Sequence, residues 1–204
     1  MYKIAVLVSG TGTNFLSIAE AVRNGRLKDC AISCVISDRR SAKAIESARA
    51  LGLPAFYLTR KEFGEGLSDE ILRVVQENGG TDLLVLAGFL SILKGDIIKK
   101  FKNRIINIHP ALIPSFCGTG MYGIHVHEAA IAYGVKITGC TVNIADGGTD
   151  TGPIVVQKAV PVTTDDPYQL QRDVLEEEHK ALVEAIDLFA RGRIILEGRR
   201  VRVL

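Results

Sequence analysis

The sequence has 204 residues, 47% hydrophobic and 24% charged, which fits one globular domain with a substantial buried core. Lysine plus arginine number 25 against 23 aspartate plus glutamate, and this net charge of +2 gives no reason to expect nucleic acid or another polyanion as partner. No apolar run approaches the ~18 residues of a membrane span. The cysteines Cys30, Cys34, Cys117 and Cys140 are spaced as buried, reduced thiols of a cytoplasmic protein rather than as a zinc site or disulfide framework.

Residues 4–8 form a continuous apolar run that stops at Ser9-Gly10. With one lysine ahead of it and a glycine-rich turn directly after, the run reads as a strand buried on both faces rather than as a leader peptide. Phe15, Ile18, Ala19 and Val22 then recur at helical spacing, and Gly25 supplies a stop. A second strand is expected at 31–36, where the spacing of Cys30 and Cys34 puts both thiols on one face. Ala44, Ala48 and Leu51 line a short helix closed by Gly52, and Pro54 leads into a short strand at 55–58. Leu67, Ile71, Val74 and Val75 mark another amphipathic helix, ending at Asn78-Gly79-Gly80. Buried-type strands follow at 83–87 and 105–108, and a helix is expected around 127–133. Cys140, Val142 and Ile144 alternate with Thr141 and Asn143, the pattern of a strand with one more polar face. Residues 154–160 read as a strand, and 167–189 as a long helix carrying Leu170, Val174, Leu182 and Ile186. The tail reads as a hairpin across Glu197-Gly198. No repeat or linker interrupts the alternation. The economical fold is α/β: a single-domain, doubly wound, mostly parallel sheet spanning 1–204.

In such a sheet, ligands sit beyond the carboxyl ends of the strands. Three segments there carry polar chemistry. Ser9-Gly10-Thr11-Gly12-Thr13-Asn14 joins the first strand to the first helix. Its glycines permit a tight turn, and the helix start offers amides and a partial positive charge to a phosphate. It lacks the third glycine of a dinucleotide fingerprint and the Gly-Lys-Ser/Thr of a Walker loop. A mononucleotide-type phosphate fits, and so does a turn that merely caps a helix. Asn107-Ile108-His109-Pro110 sends an amide and an imidazole to the same side of a strand end. Together they can stabilise an oxyanion or move a proton, although a lone histidine is more often structural. Asp146-Gly147-Gly148-Thr149-Asp150-Thr151-Gly152-Pro153 is by itself an ordinary Asp/Gly-rich turn. An aspartate from it beside His109 would favour the charged imidazole.

Taken in order, SGTGTN (9–14), LAGFLSIL (86–93), NIHPALIPSF (107–116) and DGGTDTGP (146–153) resemble the glycinamide ribonucleotide transformylases, within the folate-dependent formyltransferase superfamily, across nearly the whole chain. The SGxGTN turn and the absence of room for a second domain point to this branch. The resemblance implies a Rossmann-like formyltransferase fold. It also implies transfer of a formyl group from the co-substrate 10-formyltetrahydrofolate to the amine of glycinamide ribonucleotide, in purine biosynthesis. No metal, nucleic acid or membrane is implied, and the chain is expected as a monomer or homodimer. By the same resemblance, Gly12, Thr13 and Asn14, with Phe15 and Leu16 opening the helix, hold the phosphate and ribose side. Leu90, Ser91, Ile92 and Leu93 surround the pterin with Asp146, Gly147, Gly148, Thr149 and Asp150, and Asn107 also reaches the folate. Asn107, His109 and Asp150 form the catalytic group. Glu178, in a run of three glutamates that otherwise reads as a solvated helix face, reaches the substrate.

The sequence departs from the family at several points. Ser91 stands where many members carry arginine, and Asn143 stands where histidine is usual, facing the site. The segment 64–67 is short and lacks an arginine that commonly meets the folate tail. The loop 116–123 is long and glycine-rich, suited to a lid or to a variable surface insertion. His125 and His127 lack a third ligand and read as helix-start residues. Two other readings stay open: a formyltransferase acting on a different amine or on water, and a non-catalytic nucleotide-binding domain built on the same fold.

Overall fold

Strands and helices follow the hydrophobic periodicities closely in the computed structural model, which describes every residue from Met1 to Leu204. In chain order they are β1 (Tyr2–Val8), α1 (Thr13–Arg23), β2 (Cys30–Ser37), α2 (Lys43–Ala50), β3 (Ala55–Tyr57) and α3 (Arg60–Phe63), then a 3₁₀ turn (Gly64–Gly66), α4 (Leu67–Glu77), β4 (Leu83–Leu86) and α5 (Asp96–Lys100). There follow β5 (Ile105–His109), α6 (Ile124–Tyr133), β6 (Ile137–Ile144), β7 (Ile154–Pro161), α7 (Pro167–Ala190), β8 (Ile194–Glu197) and β9 (Arg200–Val203). Seven strands form one mostly parallel sheet in the order β3-β2-β1-β4-β5-β6-β7, and β8 and β9 make the terminal hairpin. The chain divides into two compact units, Met1–Ile106 and Asn107–Leu204.

In the first unit β1 lies between β2 and β4, parallel to both. Strands on both sides and cover on both faces explain why Ile4, Ala5, Val6, Leu7 and Val8 are all fully buried. Helix α1 buries Phe15, Ile18 and Ala21 and stops as expected before Gly25, which sits at a positive φ of 78°. Ala19 and Val22, expected on its inner face, are only half-buried. Leu51, expected to line α2, lies beyond its end and is 47% exposed; Ile45 is buried with Ala44 and Ala48 instead. Cys30 and Cys34 do not share a face by simple alternation. A bulge at Ser33 shifts the β1–β2 register, so that Ile32 faces Ile4 while Cys34 faces Ala5.

In the second unit β6 and β7 are antiparallel. The polar side of β6 does not meet solvent: Thr141 and Asn143 are 0% and 1% exposed. Thr141 explains how. Its hydroxyl donates to the Ala111 carbonyl (2.7 Å) and accepts from the Ile113 amide (3.0 Å) and from Gln157 Nε2 (3.0 Å), which uses its one proton and both lone pairs. The chain leaving His109 is thereby pinned to the sheet. Helix α7 begins with Asp166 accepting from the Tyr168 amide (2.9 Å) and Pro167 in its first turn. Leu170, Val174, Leu182 and Ile186 are fully buried along it.

Candidate active site

Parallel pairing brings the carboxyl ends of β1, β2 and β4 to one edge of the first unit. Gly12 caps α1 with φ 82°, and a Cβ there would lie 2.5 Å from the Ala44 Cβ, so no side chain fits. The first helical bond runs from the Leu16 amide to the Gly12 carbonyl (2.8 Å). The amides of the preceding turn, from Thr13 to Phe15, are those a helix start leaves to an anion. The Phe15 ring is fully buried, so only its backbone is available to a ligand, while the Leu16 side chain is 40% exposed.

Beyond β4 the segment 90–93 alternates between inward and outward side chains. Leu90 and Ile92 are 42% and 59% exposed, and Leu93 is buried. Ser91 Oγ donates to Asp38 Oδ2 (2.6 Å), and Ser9 Oγ donates to Asp38 Oδ1 (2.5 Å). The 3₁₀ turn before α4 places Glu65 against both Arg60 and Lys94, at 3.3 and 3.0 Å.

In the second unit, β5 ends with Asn107 and His109 on one side, as the two-residue alternation requires. Asp150 reaches both. Its Oδ1 accepts from Asn107 Nδ2 (3.2 Å), and its Oδ2 lies 3.5 Å from His109 Nδ1. Both the imidazole and the carboxylate are more than nine-tenths buried. Asn107 Nδ2 also donates to Asn143 Oδ1 (3.3 Å), so Asn143, expected to face this group, holds the Asn107 amide. Two backbone groups from the loop after Pro114 complete the arrangement. The Phe116 carbonyl lies 2.8 Å from His109 Nε2, and the Gly118 amide donates to Asp150 Oδ2 (3.0 Å).

The loop 146–150 is open to solvent apart from Asp150. Asp146 Oδ1 accepts from the Gly148 amide (3.2 Å) and from Thr151 Oγ1 (2.6 Å), so this acid shapes its own turn. Asp150 sits in the left-handed region, φ 57°. Of the three consecutive glutamates on α7, Glu176 is exposed and Glu178 is buried. Burial first and Glu178 second push the Cys140 thiol up to about 12. Cys117, expected to be buried, is only partly so; burial first and Asp150 second raise its thiol as well. His125 and His127 diverge on α6. His125 is exposed beside Glu128 (3.1 Å), while His127 is buried and its imidazole is lowered to about 4, by burial first and by His109 second.

The sequence reading therefore located Asn107, His109 and Asp150, which converge within the second unit. It missed the backbone partners Phe116 and Gly118, for which no side chain supplies a signal. It missed Asp38 too, although an acid directly after a buried strand was there to be read.

The sequence pattern of formyl transferases matches residues 2–186. A phosphoribosylglycinamide formyltransferase of Haemophilus influenzae is 33% identical over 97% of this chain and 91% of its own length. The chloroplastic enzyme of that name from Arabidopsis thaliana is 37% identical over 94% of this chain, which spans 66% of that relative, just under two thirds. The solved structure of glycinamide ribonucleotide transformylase 1 from Symbiobacterium toebii superposes with a TM-score of 0.93 at 40% identity, covering 100% of this chain and 94% of that one.

Proposed function

This chain belongs to the formyl transferase family, and on that premise we propose that it transfers a formyl group from 10-formyltetrahydrofolate to the amine of glycinamide ribonucleotide. The observation that carries the proposal is the convergence of Asn107, His109 and Asp150, with Asp150 at 3.2 Å from the amide and 3.5 Å from the imidazole. Residues 1–204 act in this reading as one formyltransferase domain. The family pattern running from 2 to 186, across the division at Ile106, supports it.

The proposed roles follow from chemistry. The helix start at Gly12, Thr13, Asn14, Phe15 and Leu16 receives the phosphate and ribose side, and Glu178 is assigned to the substrate. The exposed apolar side chains of Leu90 and Ile92, with Ser91 and Leu93, suit a flat heterocycle, and the loop Asp146, Gly147, Gly148 and Thr149 is assigned to the folate by the family resemblance. The amine nitrogen attacks the formyl carbon, and the carbonyl oxygen takes up the electron pair. Asn107 and the protonated His109 donate hydrogen bonds to that oxyanion. The tetrahedral centre then collapses, the bond from carbon to the folate nitrogen breaks, and the proton lost by the amine is delivered to that nitrogen. Asp150 holds the charged imidazole. No step calls for a metal.

The loop 116–123 serves as a lid in this reading. Its Phe116 carbonyl and Gly118 amide occupy His109 and Asp150, so substrate must displace them before the imidazole can serve the oxyanion. A cytoplasmic location is part of the proposal. The four free thiols suit a reducing compartment, and no helix is long and apolar enough to cross a membrane.

The test is release of folate from 10-formyltetrahydrofolate by the purified chain, with and without glycinamide ribonucleotide. Release that requires the amine and yields formylated product is expected. Release without the amine makes the chain a hydrolase, and no release by folded protein removes the assignment.

A further inference from the structure

We infer that Asp38 is a positioning residue for the folate-binding segment: its buried carboxylate fastens residues 90–91 to the first residue of the glycine-rich turn, and so sets the affinity for the folate co-substrate. The inference rests on the reading above, which places the pterin against residues 90–93.

Asp38 directly follows β2 and is only 9% exposed. Both of its oxygens are taken by hydroxyl protons, Ser9 Oγ at 2.5 Å on Oδ1 and Ser91 Oγ at 2.6 Å on Oδ2. Those lengths belong to hydroxyl–carboxylate bonds, roughly twice as strong as their neutral counterparts. With its proton committed to Asp38, Ser9 Oγ accepts the Leu90 amide at 2.8 Å, and the Ser9 amide donates to the Gly88 carbonyl at 3.0 Å. The four bonds link the ends of β1, β2 and β4 through one carboxylate.

The geometry has a direct consequence for the folate segment. The Leu90 amide and the Ser91 hydroxyl are both drawn inward, and the side chains of Leu90 and Ile92 are left facing solvent. The departure from arginine at position 91 thus has a physical role, since a short hydroxyl there reaches Asp38. Without the carboxylate, two buried or half-buried hydroxyls lose their acceptor, and the turn 88–91 is free to relax. Such a loss weakens folate binding more than it slows chemistry, because Asp38 touches no reacting atom.

Steady-state kinetics on the full chain, each substrate varied in turn, decides the matter. Ser91→Ala should raise KM for 10-formyltetrahydrofolate about 3–10-fold, the worth of one hydrogen bond, with a smaller fall in kcat. Ser91→Thr keeps the hydroxyl and should bring KM back. Asp38→Asn offers a single acceptor to two hydroxyls and should raise the same KM. Ser91 lies at the half-exposed rim, so its variants do not put folding in question, and a thermal melt accompanies Asp38→Asn. Unchanged KM in both Ser91→Ala and Asp38→Asn overturns the inference. So does an equal rise in Ser91→Thr, which would make bulk rather than the hydroxyl the cause. If the unsubstituted chain transfers no formyl group, the underlying reading fails first, before any variant is compared.

Discussion

The Nε2 atom of His109 lies 2.8 Å from the carbonyl oxygen of Phe116. A carbonyl only accepts, so Nε2 carries the proton in this contact. The other ring nitrogen faces Asp150 at 3.5 Å. The ring thus stands between a carbonyl on one side and a carboxylate on the other. The same donor, released from Phe116, is what a developing oxyanion needs.

His109→Ala should therefore lower kcat for formyl transfer by about 10²–10⁴-fold, the range for a positioned acid or base. Circular dichroism should show the fold intact, because the ring's hydrogen bonds serve two local groups rather than the core. Near-normal turnover would remove His109 from the chemistry.

Asp150→Asn keeps the shape and one acceptor oxygen, enough for the Gly118 amide or for Asn107 Nδ2 but not for both, and loses the charge facing His109. Turnover should drop by about 10²-fold or more, while the melting temperature stays close to that of the unsubstituted chain. A variant that melts far lower yet retains full specific activity at low temperature would make Asp150 a structural residue.

The parts legible in the sequence were those governed by periodicity. The apolar run at 4–8, the four-residue spacing in α4 and the long face of α7 each follow from which side must be dry. The short helix α3 escaped because it rests on capping rather than burial. The turn of α3 follows Thr59, whose Oγ1 accepts from the Glu62 amide at 3.3 Å and donates to the Glu62 carboxylate at 2.9 Å, a Thr-x-x-Glu signature that went unread. The bulge at Ser33 defeated the thiol spacing, since a single extra residue resets the alternation. At the site, side chains at strand ends were legible and their backbone partners were not. The carbonyl of Phe116 and the amide of Gly118 are found only by knowing where the loop goes, and every residue type has them.

The loop that carries Asp150 depends on a close approach of backbones. The Ile144 amide donates to the Pro153 carbonyl at 2.8 Å, and a Cβ on Gly152 would collide with the Ile144 carbonyl oxygen. Gly152→Ala should destabilise the chain by about 1–3 kcal/mol, the usual cost of forcing extra atoms into a packed site. Denaturant unfolding measures it. Stability within about 0.5 kcal/mol of the parent, the scatter of ordinary surface substitutions, would mean that the two segments part without cost.

Cys117 sits between Phe116 and Gly118 and is the one thiol with appreciable exposure. The burial of the others pushes Cys34 up to about 11 and Cys140 to about 12, so they stay protonated as well as inaccessible. A thiol reagent should modify one cysteine per native chain, and Cys117→Ser should abolish the reaction. Because Cys117 is also raised, by burial and then by Asp150, labelling should be slow near neutrality and quicken about tenfold per pH unit as thiolate forms. Substrate that lifts Phe116 from His109 should change that rate. A rate indifferent to saturating substrate would argue that the lid does not move.

His127 is 1% exposed, its Nδ1 makes no hydrogen bond, and its pKa falls from 6.5 to about 4 in the folded chain, by burial first and His109 second. The unfolded chain then binds a proton at a pH where the folded chain does not. By linkage, the contribution of this group to stability is fully present above pH 6.5 and is lost as pH falls from there toward about 4. His179, lowered chiefly by burial, adds a slope of the same sign. Exposed carboxylates held low by cations, such as Glu62 and Glu65, lose stability only further down, as they protonate. His127→Leu removes the first contribution alone and fills the same buried space with an apolar side chain. Melting temperatures recorded from about pH 7.5 to about pH 4.5 should fall less steeply in the variant than in the parent. Parallel curves would show that His127 takes up its proton as easily inside the fold as outside it.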